Sequence, residues 1–251
     1  MRDHKVGTFL DDCQDFLGQL SNFSRRRTPG LGYDSPVTRA DERVDRVSRR
    51  QVDKFAERRR ELAEAAIQTL SELGYARTSL REIAQNSAFS HGVLHYYFAD
   101  KIELITYCVR QYKEQCVLRY DEIVATARTA DGLAQGFADA LVTTLRDEAF
   151  LHRLWYDMRS QALFEESFRT DVLELDGSLE QMIWRIVTRH AELRAEPLTV
   201  TSAEAYAMFD GLFQYALLRQ LAGAPAAPDD LRARTLRMLP LTLCRAENAA
   251  G

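Results

Sequence analysis

Between Arg77 and Lys101 the chain gathers side chains that donate hydrogen bonds at helix starts, in the run RTSLREIAQNSAFSHGVLHYYFADK. Ser79-x-x-Glu82 is a capping box, with the hydroxyl serving an early helix amide and Glu82 reaching back to the cap. Leu80, Ile83 and Ala84 then share one helical face, and the polar run Gln85-Asn86-Ser87 ends it. Ser90 is a second cap, opening a helix to about Tyr97, with Phe89 and Leu94 spaced as a hydrophobic staple. Asp100-x-x-Glu103 opens a third helix by the same logic. His91, Val93, His95 and Tyr96 project from the early turns that follow Ser90. Imidazoles can donate to phosphates or base acceptors, and valine methyls suit thymine. Free amides behind Ser79 and Ser90 attract phosphate, and Gly92 permits close backbone approach. Helix, tight turn and second helix, polar on one side, is a layout that reads duplex DNA.

These residues resemble the DNA-binding signature of the TetR family of bacterial transcription regulators. The match is carried by Thr78, Ser79, Glu82, Ile83, Ala84, Ser90, Gly92, Leu94, Tyr97, Phe98 and Lys101 at fixed spacing. The resemblance implies DNA contacts from Thr78, Ser79, Ser90, His91, Gly92, Val93, His95, Tyr96 and Lys101, with Tyr96 and Lys101 on phosphates. It also implies a cytoplasmic homodimer that binds a double-stranded operator and is released from it by a small-molecule effector, most often as a repressor. Four positions depart from the family pattern. Ala88 stands where the turn usually has Gly, and His91, Val93 and His95 replace a basic residue, a hydroxyl and a tyrosine. The departures motivate one alternative, a ligand- or partner-binding helical dimer that has lost operator recognition.

The rest of the 251 residues must position that segment. Gly and Pro are sparse and helix formers abound, so an all-α fold is expected: an N-terminal three-helix helix-turn-helix domain and a C-terminal helical bundle for ligand binding and dimerisation. Net charge is −4, with 19 Lys and Arg against 16 Asp and Glu through Lys113 and 14 against 21 beyond it. That asymmetry fits nucleic-acid contact in the front half, or a chance imbalance. Residues 1–48 are expected to be a disordered extension with one short helix near Phe9–Leu20. The DNA-binding domain is expected over 49–113, with the helix-turn-helix at 79–98, and the second domain over 114–247. A first helix over Arg49–Leu73 carries Lys54, Arg58, Arg59 and Arg60, which face either a DNA backbone or plain solvent.

Helices are further expected from Asp100 to about Ala127, then over Leu133–Arg146, Glu148–Phe164, Phe168–Leu193, Ser202–Leu221 and Asp229–Arg245, the last kinked at Pro240. Ser202–Leu221 is apolar around most of its circumference. By the resemblance, it and the last helix pair with their copies across a twofold axis. Phe137, His152, Trp155, Tyr156, Met158, Arg159, Met182 and Trp184 could line an effector pocket, or simply pack the core. His152–Asp176 with Trp155 also resembles the BetI-like branch of the family's regulatory domains. The four cysteines have no metal-ligand spacing and read as small buried residues of a reducing cytosol. No nucleophile elbow, phosphate loop or H-E-x-x-H appears, so neither an enzyme nor a metal or cofactor site is expected. No apolar run is long enough to span a bilayer, and no signal-peptide h-region is expected.

Overall fold

The computed structural model describes residues 39–74 and 77–244. Among them the fold is helical: α1 Arg39–Leu73, α2 Leu80–Gln85, α3 His91–Tyr97, α4 Lys101–Thr126, α5 Ala130–Asp147, α6 Ala149–Ala162, α7 Arg169–Arg194, α8 Ser202–Leu221 and α9 Ala227–Met238. Short 3₁₀ turns lie at Glu166–Phe168 and Leu239–Thr242. The one extended pairing among the described residues is an isolated antiparallel bridge, Leu198 to Leu243. None of the described helices is long and apolar enough to cross a membrane.

The chain divides into two compact units inside α1, between Glu64 and Ala65. In the first unit the exposed face of α1 carries an Arg58–Glu61 ion pair at 2.5 Å. The helix starts at Arg39 rather than Arg49, so the stretch just before Arg49 is helical and not part of a disordered leader. The short helix expected at Phe9–Leu20 lies outside the described residues.

The second unit holds both the helix-turn-helix and the larger bundle. In the bundle α9 packs on α5 and α8, and α7 lies against α4, α5 and α8. Trp155, Phe137, Phe209 and Leu133 are among its largest buried side chains. Phe137 meets Tyr120 and Phe209 edge-on, at 5.8 and 5.2 Å between ring centroids, the arrangement aromatic quadrupoles favour. Gly136 makes a close crossing possible, since a Cβ there would sit 3.2 Å from Ile123 Cγ2. α4 runs unbroken through position 113, so the expected domain junction falls inside one helix.

Two features of residues 238–244 differ from the sequence expectation. The final helix stops at Met238 and tightens into the 3₁₀ turn that contains Pro240, instead of bending there and running on to Arg245. Proline has no amide to donate, and a 3₁₀ turn accommodates that. Cys244 is exposed, unlike the buried Cys108 and Cys116; Cys13 lies outside the described residues.

The chain ends α7 on Ala195 in the left-handed region, at φ 54°. Glycine would adopt that conformation without a Cβ clash. Ala195→Gly is therefore expected to stabilise the fold by about 1 kcal/mol, read as a higher urea midpoint at unchanged slope.

Candidate nucleic-acid interface and buried cavity

The turn between α2 and α3 is built as its residues dictate. Ser79 Oγ accepts from the Glu82 amide at 3.2 Å, and the Glu82 carboxylate accepts from the Ser79 amide at 2.7 Å. Ser90 Oγ accepts from the Val93 amide at 3.3 Å. Ala88 needs no left-handed backbone, because among the described non-glycine residues only Ala195 has positive φ. At the third cap Asp100 accepts from the Glu103 amide, and Glu103 reaches back to Ala99 rather than to Asp100 itself.

α3 is two-sided. Leu94 is fully buried, as is Phe98 just beyond the helix, where it packs edge-on against Tyr107 of α4. His91, Gly92, His95 and Tyr96 are exposed, Tyr96 to 74%, and Val93 is half-buried. The His91 and His95 rings touch edge-on at 4.4 Å. A Cβ at Gly92 would meet open space. The start of α3 carries no acidic residue, whereas that of α2 is already served by Glu82. Ser79 therefore has less to offer a phosphate than Ser90 has. Thr78 differs from the other expected contacts. Its side chain is buried and its hydroxyl donates to the Gly74 carbonyl at 2.7 Å, closing the end of α1. Lys101 opens α4, half-buried.

A second feature lies deep in the bundle. A half-open cavity of about 60 Å³ is lined from α4, α5, α6, α7 and α8. Of the pocket residues named from the sequence, His152, Trp155, Tyr156 and Met182 lie in its wall. Phe137, Met158, Arg159 and Trp184 do not. Phe137 and Met158 are wholly inside solid packing. Arg159 is tied to Asp210 at 2.6 Å and Asp176 at 3.3 Å. Trp184 is half-buried and outside the wall.

The wall also has members that the sequence reading missed: Lys113, Cys116 and Tyr120 from α4, and Tyr206 and Asp210 from α8. Lys113 is the most consequential. It is only 2% exposed. Its Nζ lies 3.3 Å from His152 Nδ1 and over the Trp155 and Tyr112 rings, at 5.3 and 5.5 Å. Burial lowers its pKa to about 8, against the opposing pull of Cys116, Asp210 and Glu148. Burial, reinforced by the Lys113 and Arg119 charges, pushes His152 well below the ordinary imidazole value. A neutral His152 that accepts at Nδ1 from an ammonium carries its proton on Nε2.

Cys116, Glu148 and His152 present ligand atoms within 4.8 Å of one another. The distances suit a metal, but the surroundings do not. Glu148 accepts from Tyr112 O–H and from Arg119 at 2.6 Å, and Lys113 occupies His152 Nδ1. Two cations beside the cluster repel a third. The cluster is better described as a charge network that pins the start of α6 to α4.

A buried lysine sheds its proton early, and stability records it. Between pH 8 and about 10.5 the unfolded chain holds a proton on Lys113 that the folded chain has lost, so this group makes stability rise with pH through that window. Cys116 and Tyr112, pushed upward by burial, act in the opposite sense above their own unfolded values. Lys113→Met should thus be more stable than the parent at pH 7, by on the order of 1–3 kcal/mol. The gap should narrow by pH 9, as read from urea unfolding at the two pH values.

Comparison with known proteins bears on both features. Residues 62–108 match the model for bacterial regulatory proteins of the tetR family. The HTH-type transcriptional repressor KstR2 of Mycobacterium tuberculosis is 28% identical over an alignment covering 46% of this chain and 71% of the repressor. The fold is shared with the transcriptional regulator FadR from Bacillus subtilis, solved with stearoyl-CoA, at TM-score 0.59 and 16% identity over 71% of this chain and 95% of that one. It is shared too with a regulator from Saccharomonospora viridis solved with choline, at TM-score 0.62 and 17% identity over 76% of this chain and 99% of that one. With the capped helix-turn-helix in place, residues 62–108 are a DNA-binding segment of the TetR family of bacterial regulatory proteins, and the all-helical bundle behind them shares the fold of regulators of that family.

Proposed function

We propose that this regulator is a homodimeric, sequence-specific DNA-binding repressor of the cytoplasm, released from its operator by a small-molecule effector. The observation that carries the reading is the placement of α4. Its first turns hold Tyr107 against Phe98 at the end of α3, and Lys113, Cys116 and Tyr120 further along line the cavity. At 1.5 Å rise per residue the two contacts are only about 10–20 Å apart on one helix. A change of cavity shape therefore has a short mechanical path to the recognition helix. Relatives agree in kind: KstR2 is a repressor, and the two solved neighbours hold stearoyl-CoA and choline. Their ligands differ from each other, so neither names the effector here. The reading assigns no catalysis to the chain.

In this reading α8 supplies the dimer seam. Tyr215, Leu218 and Leu221 are exposed along it, Leu218 to 68%, with Leu241 exposed beyond α9. Apolar groups at such spacing favour burial against a second copy. The twofold axis would set two α3 helices about 34–36 Å apart, matching half-sites one turn apart. An effector shifts the population only by the difference in its affinity for the operator-bound and released states.

Selection of bound DNA from a random pool, followed by gel shift, tests the proposal. Retention should weaken steeply with salt. Tyr96→Ala and Lys101→Ala should each weaken operator binding about tenfold at unchanged helix content. Equal affinity in both variants would remove the assigned contacts. Failure to select any sequence would favour a helical dimer without operator recognition. Leu218→Glu should convert the dimer to monomer, read by light scattering on a sizing column.

A further inference from the structure

The cavity wall is unbalanced in its hydrogen bonding. Its donors outnumber the acceptors that remain free. His152 Nε2 and Trp155 Nε1 are buried and have no hydrogen-bond partner. Lys113 is buried with an imidazole nitrogen and two ring faces around it, and among the described residues it makes no carboxylate ion pair. An ammonium has three protons to place, and only one has a hydrogen-bond partner here.

The nearby carboxylates, by contrast, are engaged. Asp210 accepts from Tyr156 at 2.9 Å and from Arg159 at 2.6 Å. Asp176 accepts from Tyr206 and pairs with Arg159. Glu148 is held by Tyr112 and Arg119. Unmatched buried donors are costly, so a ligand that supplies acceptors gains what the wall by itself lacks. The remaining wall is apolar, from Leu141, Leu179, Met182, Ile183, Phe209 and Phe213.

We propose that the effector is an apolar carboxylic acid whose carboxylate is received by Lys113 Nζ and by the ring N–H group of Trp155. The inference rests on the effector reading above and narrows it to a chemical class. Two carboxylate oxygens offer about four lone pairs, enough for both donors, and the charge neutralises Lys113. A neutral amide leaves the buried ammonium without a carboxylate in direct contact. An amine or quaternary ammonium adds a cation beside Lys113 and close to Arg159. Free space of about 60 Å³ is well below the roughly 300 Å³ of ordinary ligand pockets. The head therefore fits the existing space, and the tail must part the apolar wall.

Calorimetric titration of the full chain at neutral pH tests the class. The probes are hexanoate, decanoate, palmitate, 3-phenylpropanoate and cyclohexanecarboxylate, each beside its primary amide and its primary amine. At least one acid should bind, about tenfold or more tighter than its amide, with the amine silent. Lys113→Met should erase the preference for the acid, and Trp155→Phe, which keeps a ring and drops the N–H, should weaken the acid severalfold. Circular dichroism establishes that each variant is folded. Should Lys113→Met fail to fold, Trp155→Phe and the acid-to-amide ratio of the parent decide the matter. An amide or amine that matches its acid overturns the proposal, as does undiminished acid binding by a folded Lys113→Met, or silence from every acid. DNA selection by the parent without ligand is scored separately. A chain that selects an operator but ignores every acid loses this inference alone, and one that selects no DNA loses the regulator reading.

Discussion

An ammonium taken out of water must be held by something, and at the centre of this bundle the holders are an imidazole lone pair and two aromatic faces. Lys113 sits where a bundle of this kind would ordinarily place a leucine. Burial, with the Lys113 charge beside it, keeps His152 neutral, and the contact at Nδ1 leaves the ring proton on Nε2. Around it, Glu148 clamps α4 to the α5–α6 corner, and Arg159 draws α7 and α8 together through Asp176 and Asp210. Replacing a buried charge with an apolar side chain commonly stabilises a protein. A lysine kept in such a place is explained better by what it binds than by what it contributes to folding.

The same helix serves the other end of the unit. α4 begins two residues after Ala99, carries Tyr107 against Phe98, and presents Lys113 and Cys116 to the cavity on its next turns. Packed interiors move between discrete arrangements and do not deform smoothly. A rigid helix with one side in each site is therefore an economical link between them. The Gly74 region lies on a parallel path. A Cβ there would come within 4.0 Å of Asp157 on α6, two residues beyond Trp155, and the Gly74 carbonyl receives the Thr78 hydroxyl.

Much of the interface was legible in the sequence because capping is local chemistry. Ser79, Glu82, Ser90 and Asp100 act within four residues of themselves, and their bonds follow from spacing alone. Helix ends from α5 to α8 were close for the same reason. The burial of Thr78 was not legible, because its partner is the end of a helix that the chain leaves before reaching it. The cavity was half legible. Trp155 and His152 stand out by type, but Phe137 and Met158 are indistinguishable from them until the packing is known. Lys113 was overlooked because a lone lysine on a long helix usually faces water. The signal lay in its company, with Tyr112 before it and Cys116 and Tyr120 one and two turns on, all on the buried side. The end of α9 was overextended because helical periodicity continues past Pro240 while the backbone tightens before it.

The clamp on Glu148 has a consequence for how the molecule yields. That residue stands alone between α5 and α6, so its bonds to Tyr112 and Arg119 weld that corner to α4. Room for a guest must then come from the other helices of the wall, α7 and α8 among them. Under the proposed assembly α8 is also the seam between protomers, so admitting a guest and holding a partner draw on the same helix. Linkage makes such coupling mutual: the affinity measured for a small molecule would drift with protein concentration, and dilution itself would act as a regulatory variable.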